Sequence, residues 1–204
     1  MALLQLATMP VSYVFSLTGW PGTGKYTVAK ELVAQLEARG LETRLVDNHS
    51  VSNPVLGVIR IDPEVAVPPE VWDRVREVRT AVYESIATLS PSEWSFVFTN
   101  YVADTPADRA HYERLQALAD ARGSQFVPVR MTVEVDELLR RVTQPERAAR
   151  MKLTNADLAR RTFLTQPLFV PRHAHTLELD VTQSAPPAAA TQIIEHAFQL
   201  PRSG

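Results

Sequence analysis

Residues 13–27 read YVFSLTGWPGTGKYT, and the second half of this stretch has the residue types and spacing that hold phosphate. Gly19, Gly22 and Gly24 let successive backbone N–H groups turn inward on one anion, a concavity that side chains would obstruct. A helix that starts at the last glycine adds its unpaired N–H groups and the positive end of its dipole. Pro21 and Thr23 complete the loop, and Lys25 brings a point charge to the terminal phosphates, where negative charge must be held during transfer. The pattern G-x4-G-K is intact, but the hydroxyl that ordinarily follows is displaced: position 26 is Tyr26 and the threonine is Thr27. One residue along a helix is a rotation of about 100°, so Thr27 cannot simply take over the metal-facing position. It is expected to meet an inner phosphate, with Mg²⁺ held by water and by carboxylates elsewhere.

Other chemistry-bearing residues follow. Asp47, Asn48 and His49 set a carboxylate, an amide and an imidazole in a row; the imidazole titrates near neutrality and could bind a substrate or assist as a base. Arg76 and Arg79 are three apart and share a helical face, which would suit an anionic acceptor together with Asn53, Arg60 and Arg74. Arg147 and Arg150, also three apart, could reach one phosphate from a single helical turn, with Lys152 close by. Asn100 ends the apolar run WSFVFTN and is expected to orient water or substrate.

The elements that must position these residues are legible as hydrophobic periods. SYVFSLT (12–18) is a short strand, and Val28, Ala29, Leu32, Val33 and Leu36 fall on one face of a helix that Gly40 stops. LETRLVD (41–47) reads as a second strand. Residues 48–70 are rich in Asn, Pro and short apolar runs, and helical spacing resumes over 71–89. WSFVFTN (94–100) is apolar enough to be buried on both faces, as parallel sheets require. A helix over 108–123, a strand over 125–132 and a helix through VDELLRRV follow; Thr154 and Asp157 match a capping box before the next helix. HTLELDV (175–181) gives a fifth strand and TQIIEHAF a closing helix. Strands alternating with helices predict a three-layer α/β/α fold around a five-stranded parallel sheet.

GWPGTGKYT resembles the G-x-P-G-x-G-K-x-T loop of nucleoside monophosphate kinases, which dispense with the hydroxyl after the lysine and keep the threonine one place later. The remaining order is similar to that of the wider P-loop small-molecule kinases, including shikimate kinase, gluconate kinase and chloramphenicol phosphotransferase. The resemblance implies a single P-loop NTPase domain over 1–204, an acceptor-binding insertion at 48–92 and a lid at 143–165. It implies ATP and Mg²⁺ as cofactors and a small-molecule acceptor whose hydroxyl or phosphate receives the γ-phosphoryl group. Asp47 would then take up the acceptor's proton or hold Mg²⁺ through water, Arg147 and Arg150 would cross the nucleotide from the lid, and His49, Asn53, Arg76, Arg79 and Asn100 would meet the acceptor. Thr182, Gln183 and Ser184 stand where such kinases pass backbone beside the adenine ring. The third strand ends in Thr99-Asn100-Tyr101 rather than D-G-[FY]-P-R, which argues against an adenylate kinase proper.

Composition narrows the partners. The 204 residues carry 21 basic and 23 acidic side chains, a formal charge of -2, so no global field recommends nucleic acid or a membrane surface. There is no cysteine, which excludes disulfides and thiolate chemistry and fits a reducing cytosol. No apolar run approaches the roughly 18 residues of a membrane helix, and the first ten residues lack a secretory pattern, so a cytoplasmic protein is expected. A switch GTPase would need N-K-x-D, which TNAD at 154–157 does not supply, and FVFTNY offers a motor ATPase no acid after the third strand. An ATPase or switch without a small acceptor, and a polynucleotide or toxin-type kinase, remain as alternatives.

Overall fold

The computed structural model describes residues 11–59, 67–144, 147 and 153–201. In chain order these form β1 (Tyr13–Thr18), α1 (Lys25–Glu37), β2 (Thr43–Asp47), α2 (Asn48–Leu56), α3 (Pro69–Leu89), β3 (Ser95–Asn100), α4 (Pro106–Arg122), β4 (Gln125–Thr132), α5 (Val135–Val142), α6 (Ala156–Thr165), β5 (Leu177–Asp180) and α7 (Pro186–Gln199). All five strands pair in parallel in the order β2-β3-β1-β4-β5, the three-layer α/β architecture that the alternating periods predict.

Being central, β1 is buried at every residue, and alternate side chains feed two different cores. Tyr13, Phe15 and Leu17 join α1 and α7, with Leu138 and Val142 of α5, on one side of the sheet; Val14 joins α3 and α4 on the other. β3 divides in the same way, Val97 to the first core and Phe96 and Phe98 to the second. Burial on both faces explains why these strands read as unbroken apolar runs. The register Thr18↔Asn100 and Asp47↔Thr99 brings the carboxyl ends of β1, β2 and β3 to one edge, the edge at which open parallel sheets bind ligands.

Two local expectations need correction. The irregular stretch after β2 opens as a helix, α2, with Pro54 inside it. The proline removes one donor, and the turn stays closed around it because Ser50 Oγ donates to the Asp47 carbonyl at 2.6 Å and Gly57 N to the Asn53 carbonyl at 2.8 Å. The cap of α6 is Asn155 rather than Thr154: its Oδ1 accepts from Leu158 N at 2.9 Å, and asparagine serves an N-cap at least as well as threonine.

Candidate functional site: a phosphate loop opening on a cleft

The loop between β1 and α1 is built on glycine because its backbone demands it. Gly22 and Gly24 sit at φ 99° and 100°, a left-handed region that side chains rarely adopt. A Cβ on Gly22 would lie 2.7 Å from Val142 Cγ2, and one on Gly19 would lie 2.9 Å from the Met131 carbonyl oxygen. Thr23 closes the turn, its N–H and Oγ1 both donating to the Trp20 carbonyl at 3.1 and 2.8 Å. Lys25 Nζ spans the loop, donating to the carbonyls of Gly19 at 2.7 Å and Trp20 at 2.8 Å. The ammonium therefore stands at the head of α1, whose first turn is capped by Gly24.

Arg141, on α5, was not singled out in the sequence, yet it ties this loop to two other segments. Its Nη1 donates to the Thr23 carbonyl at 2.9 Å, and its Nη2 to the carbonyls of Val181 at 2.8 Å and Thr182 at 3.1 Å. Its Nε meets Glu137 Oε1 at 2.6 Å. Because C=O and N–H of a trans peptide point in opposite directions, holding the Thr23 carbonyl on Arg141 turns Gly24 N–H away from α5. Arg140, and then Arg141, keep the Glu137 carboxyl far below the usual carboxylate range, at about 2.

In front of the loop opens a cleft of about 450 Å³. Pro21, Gly22, Gly24, Lys25, Tyr26 and Thr27 form one wall, with Lys30 one turn further along α1; the Lys30 ammonium lies 5.5 Å from the Tyr26 ring centre. Asp47, Asn48, His49, Thr99, Asn100 and Tyr101 form a second wall, and Arg141, Gln144, Arg147 and Leu153 a third. β3 intervenes between β1 and β2, so Asp47 faces the loop across one strand rather than from an adjacent one. Thr99 Oγ1 donates to Asp47 Oδ1 and accepts from Asn48 N at 3.3 Å, fixing carboxylate and helix start together. Asn100 is 4% exposed, and its Nδ2 has no hydrogen-bond partner among the described residues.

Most of the residues expected from the sequence line this cleft, but not all. Gly19 and Thr23 stand behind it, shaping the loop. Asn53 does not line the cleft, because α2 carries it away from the strand ends. Arg76 is a correction: it pairs with Asp73 on the exposed surface of α3, and its side chain is 44% exposed. Arg79 turns the other way, into the protein, where Nη2 donates to Asn48 Oδ1 at 3.0 Å; burial pushes its pKa below the ordinary guanidinium value. The shared face therefore splits into one solvated and one half-buried arginine. Arg147 lines the cleft, with Nε donating to the Leu153 carbonyl at 3.0 Å, and burial lowers its pKa as well. Arg60, Arg150 and Lys152 lie outside the described residues.

The loop is also pinned from above. Trp20 Nε1 donates to the Gln166 carbonyl at 3.1 Å, and the Trp20 ring lies 4.4 Å from the Phe163 ring, centre to centre. Tyr101 donates to Gln166 Oε1 at 2.6 Å, so the end of α6 bridges the loop and the end of β3. These aromatic and amide contacts span more than 60 residues of chain and leave no local signature in sequence.

Neither a protein-family model nor a curated protein matches the sequence. Among solved structures, the chain is similar to a candidate kinase from Chloroflexus aurantiacus at 20% identity and TM-score 0.64, over 92% of this chain and 98% of that one. It is similar to the Mycobacterium tuberculosis APS kinase CysC in complex with AMPPNP and APS at 14% identity and TM-score 0.63, over 93% and 99%. It is similar as well to Chaetomium thermophilum Kti12 in complex with ADP-AlF3 at 16% identity and TM-score 0.58, over 94% and 100%. At such identities the likeness is one of fold, and the chain has the α/β/α fold of the P-loop small-molecule kinases.

Proposed function

We propose that the protein is an ATP-dependent kinase that transfers the γ-phosphoryl group to a hydroxyl or phosphate of a small-molecule acceptor. The observation that carries this reading is that the glycine cradle, Lys25 and Asp47 open on one cleft of about 450 Å³, a size ordinary for small-ligand sites. The loop requires glycine, since a Cβ at Gly19 or Gly22 would collide with the protein packed against it, and a loop without side chains leaves its backbone N–H groups open to an anion. Phosphoryl transfer asks little covalent work of the protein and much positioning and charge neutralisation. Lys25 supplies the charge at the head of α1, and Arg147 a second charge from the facing wall. Arg147 belongs to the 143–165 segment that would form the lid, and the 48–92 segment would receive the acceptor.

Among the described residues, no three His, Cys, Asp or Glu side chains gather into a metal site. Mg²⁺ would then come with the triphosphate, held by its oxygens and by waters, one of them on Asp47, in keeping with the ion's preference for retained water. When bound, it would offset charge on the phosphate oxygens. Asp47, oriented by Thr99, stands ready to take up the acceptor's proton. Lys25→Ala and Asp47→Ala should each abolish transfer of labelled γ-phosphate, with the fold intact by circular dichroism. Full activity in Lys25→Ala would end the site assignment.

A second reading is an ATPase without a small acceptor, to which the likeness to Kti12 in complex with ADP-AlF3 lends nucleotide binding and nothing more. ATP turnover measured with and without acceptor panels separates the two: a kinase responds to particular compounds, and an acceptor-free ATPase turns over equally with all. Nucleic acid and membranes are not part of either reading; among the described residues no helix is long and apolar enough to cross a membrane.

A further inference from the structure

The acceptor wall of the cleft carries a donor and acceptor pattern whose chemistry is more specific than "small molecule". Resting on the kinase reading above, we propose that the acceptor is an uncharged polyhydroxylated compound (a sugar, a polyol or the sugar part of a nucleoside) rather than a carboxylated or phosphorylated one.

The arginines of α3 that an anionic acceptor would need do not reach the cleft. Arg76 is committed to Asp73 at the surface, and Arg79 is spent behind the wall on Asn48 Oδ1. Among the described residues, the lysines and arginines that line the cleft come from α1, from α5 and from Arg147, and none comes from α2 or α3, whose one titratable side chain on the cleft is His49. The fixed charge at the carboxyl ends of β2 and β3 is instead the Asp47 carboxylate, which would repel a second anion placed against it.

The neutral groups on the same wall suit hydroxyls. A guanidinium has donors only, so the atom of Asn48 that meets Arg79 must be its carbonyl oxygen, which leaves the amide hydrogens of Asn48 as the other end of the group. Thr99 engages Asp47 Oδ1 and leaves Oδ2 to accept. Asn100, nine-tenths buried with an unpartnered Nδ2, carries a desolvation cost that a bonded occupant would relieve. A hydroxyl both donates and accepts, so neighbouring hydroxyls on one skeleton can meet a carboxylate and two amides in turn.

The acceptor hydroxyl oxygen forms a bond to the γ-phosphorus of ATP, and the bond from that phosphorus to the β–γ bridging oxygen breaks. ADP leaves with the electron pair, and the hydroxyl proton passes to Asp47 and then to solvent. The products are a phosphate monoester, ADP and a proton.

The test pairs acceptors by skeleton: sugars against the matching sugar acids and sugar phosphates, and nucleosides against their monophosphates. Each is incubated with ATP and followed by phosphorus NMR. At least one uncharged compound should be phosphorylated with kcat/KM tenfold or more above its anionic counterpart. Asn48→Ala and Asn100→Ala should each raise KM for that compound about tenfold and leave the affinity for ATP unchanged. An anionic member used as well as or better than its uncharged partner overturns the proposal while sparing the kinase reading. So does phosphorylation of no compound in either set by a protein that still binds ATP. Absence of Lys25-dependent ATP binding overturns both.

Discussion

The two walls of the cleft are built in opposite ways. The glycine-loop wall is local: Gly19 to Thr27 are nine consecutive residues whose shape follows from glycines at φ near 100° and from the helix that starts at Lys25. The facing wall, proposed to meet the acceptor, is assembled from afar, with Asp47 held by Thr99 fifty-two residues away and Asn48 by Arg79 thirty-one residues away. A local wall tolerates little substitution but announces itself as a motif. A long-range wall is written in pairs of residues, each ordinary by itself.

The contrast can be broken first at Gly22. Alanine there needs a left-handed backbone and places a methyl 2.7 Å from Val142, which together should cost about 3 kcal/mol. Denaturant unfolding should show that loss, accompanied by loss of ATP binding; an unchanged midpoint would mean that the loop is not held by α5. Next in size, Arg141→Ala frees the Thr23 carbonyl and the loop after β5, and should weaken ATP binding by about tenfold to a hundredfold, the cost of one to two charge-assisted hydrogen bonds. Calorimetry with ATP and ADP would read it, and equal affinity to the parent would reduce Arg141 to a surface residue.

On the acceptor wall the effects are smaller and more telling. Arg79→Ala strands the Asn48 carbonyl and should raise the acceptor KM about tenfold with the ATP KM unchanged, in line with the loss of a charged hydrogen bond. Arg76→Ala breaks only an exposed ion pair, worth little, and should alter neither constant. Equal effects would restore the shared arginine face read from sequence.

The smallest effect is electrostatic. The Glu137 carboxyl, held at about 2 by Arg140 and Arg141, is depressed on folding. Its contribution is therefore present above the ordinary carboxylate pKa and is lost as pH falls through the folded value. The parent should melt higher than Glu137→Gln at pH 6, and the gap should close as the pH approaches 2. A constant gap would assign Glu137 no ionic role.

Legibility followed the same division. The strands, the main helices and the glycine turn between β1 and α1 were readable because each is fixed by a period or by a backbone constraint within a dozen residues. Arg141 was missed because VDELLRRV offers two adjacent arginines, yet the helical wheel distinguishes them. Arg141 lies about 60° from Leu138, on the flank of the buried face, whereas Arg140 lies about 160° from it and points outward. The same geometry places Arg79 between buried Val75, Ile86 and Tyr83, near the centre of the buried face, and Arg76 at its edge, about 20° from Tyr83 but about 100° from Val75. Spacing says that two side chains share a stripe; only their angle to the apolar face says which one is drawn inward. Trp20 on Phe163 and Tyr101 on Gln166 had no such signal, since tertiary packing alone brings them together.

In the proposed reaction one cleft holds both a nucleotide and an acceptor, with a phosphoryl group passing between them. The most direct measurement follows the γ-phosphate of labelled ATP, with the parent and Lys25→Ala side by side, as acceptors are added. One class of acceptor should speed ADP release and carry the label as a phosphate monoester, and Lys25→Ala should abolish both. Label recovered only as inorganic phosphate, at a rate indifferent to every acceptor, would contradict it.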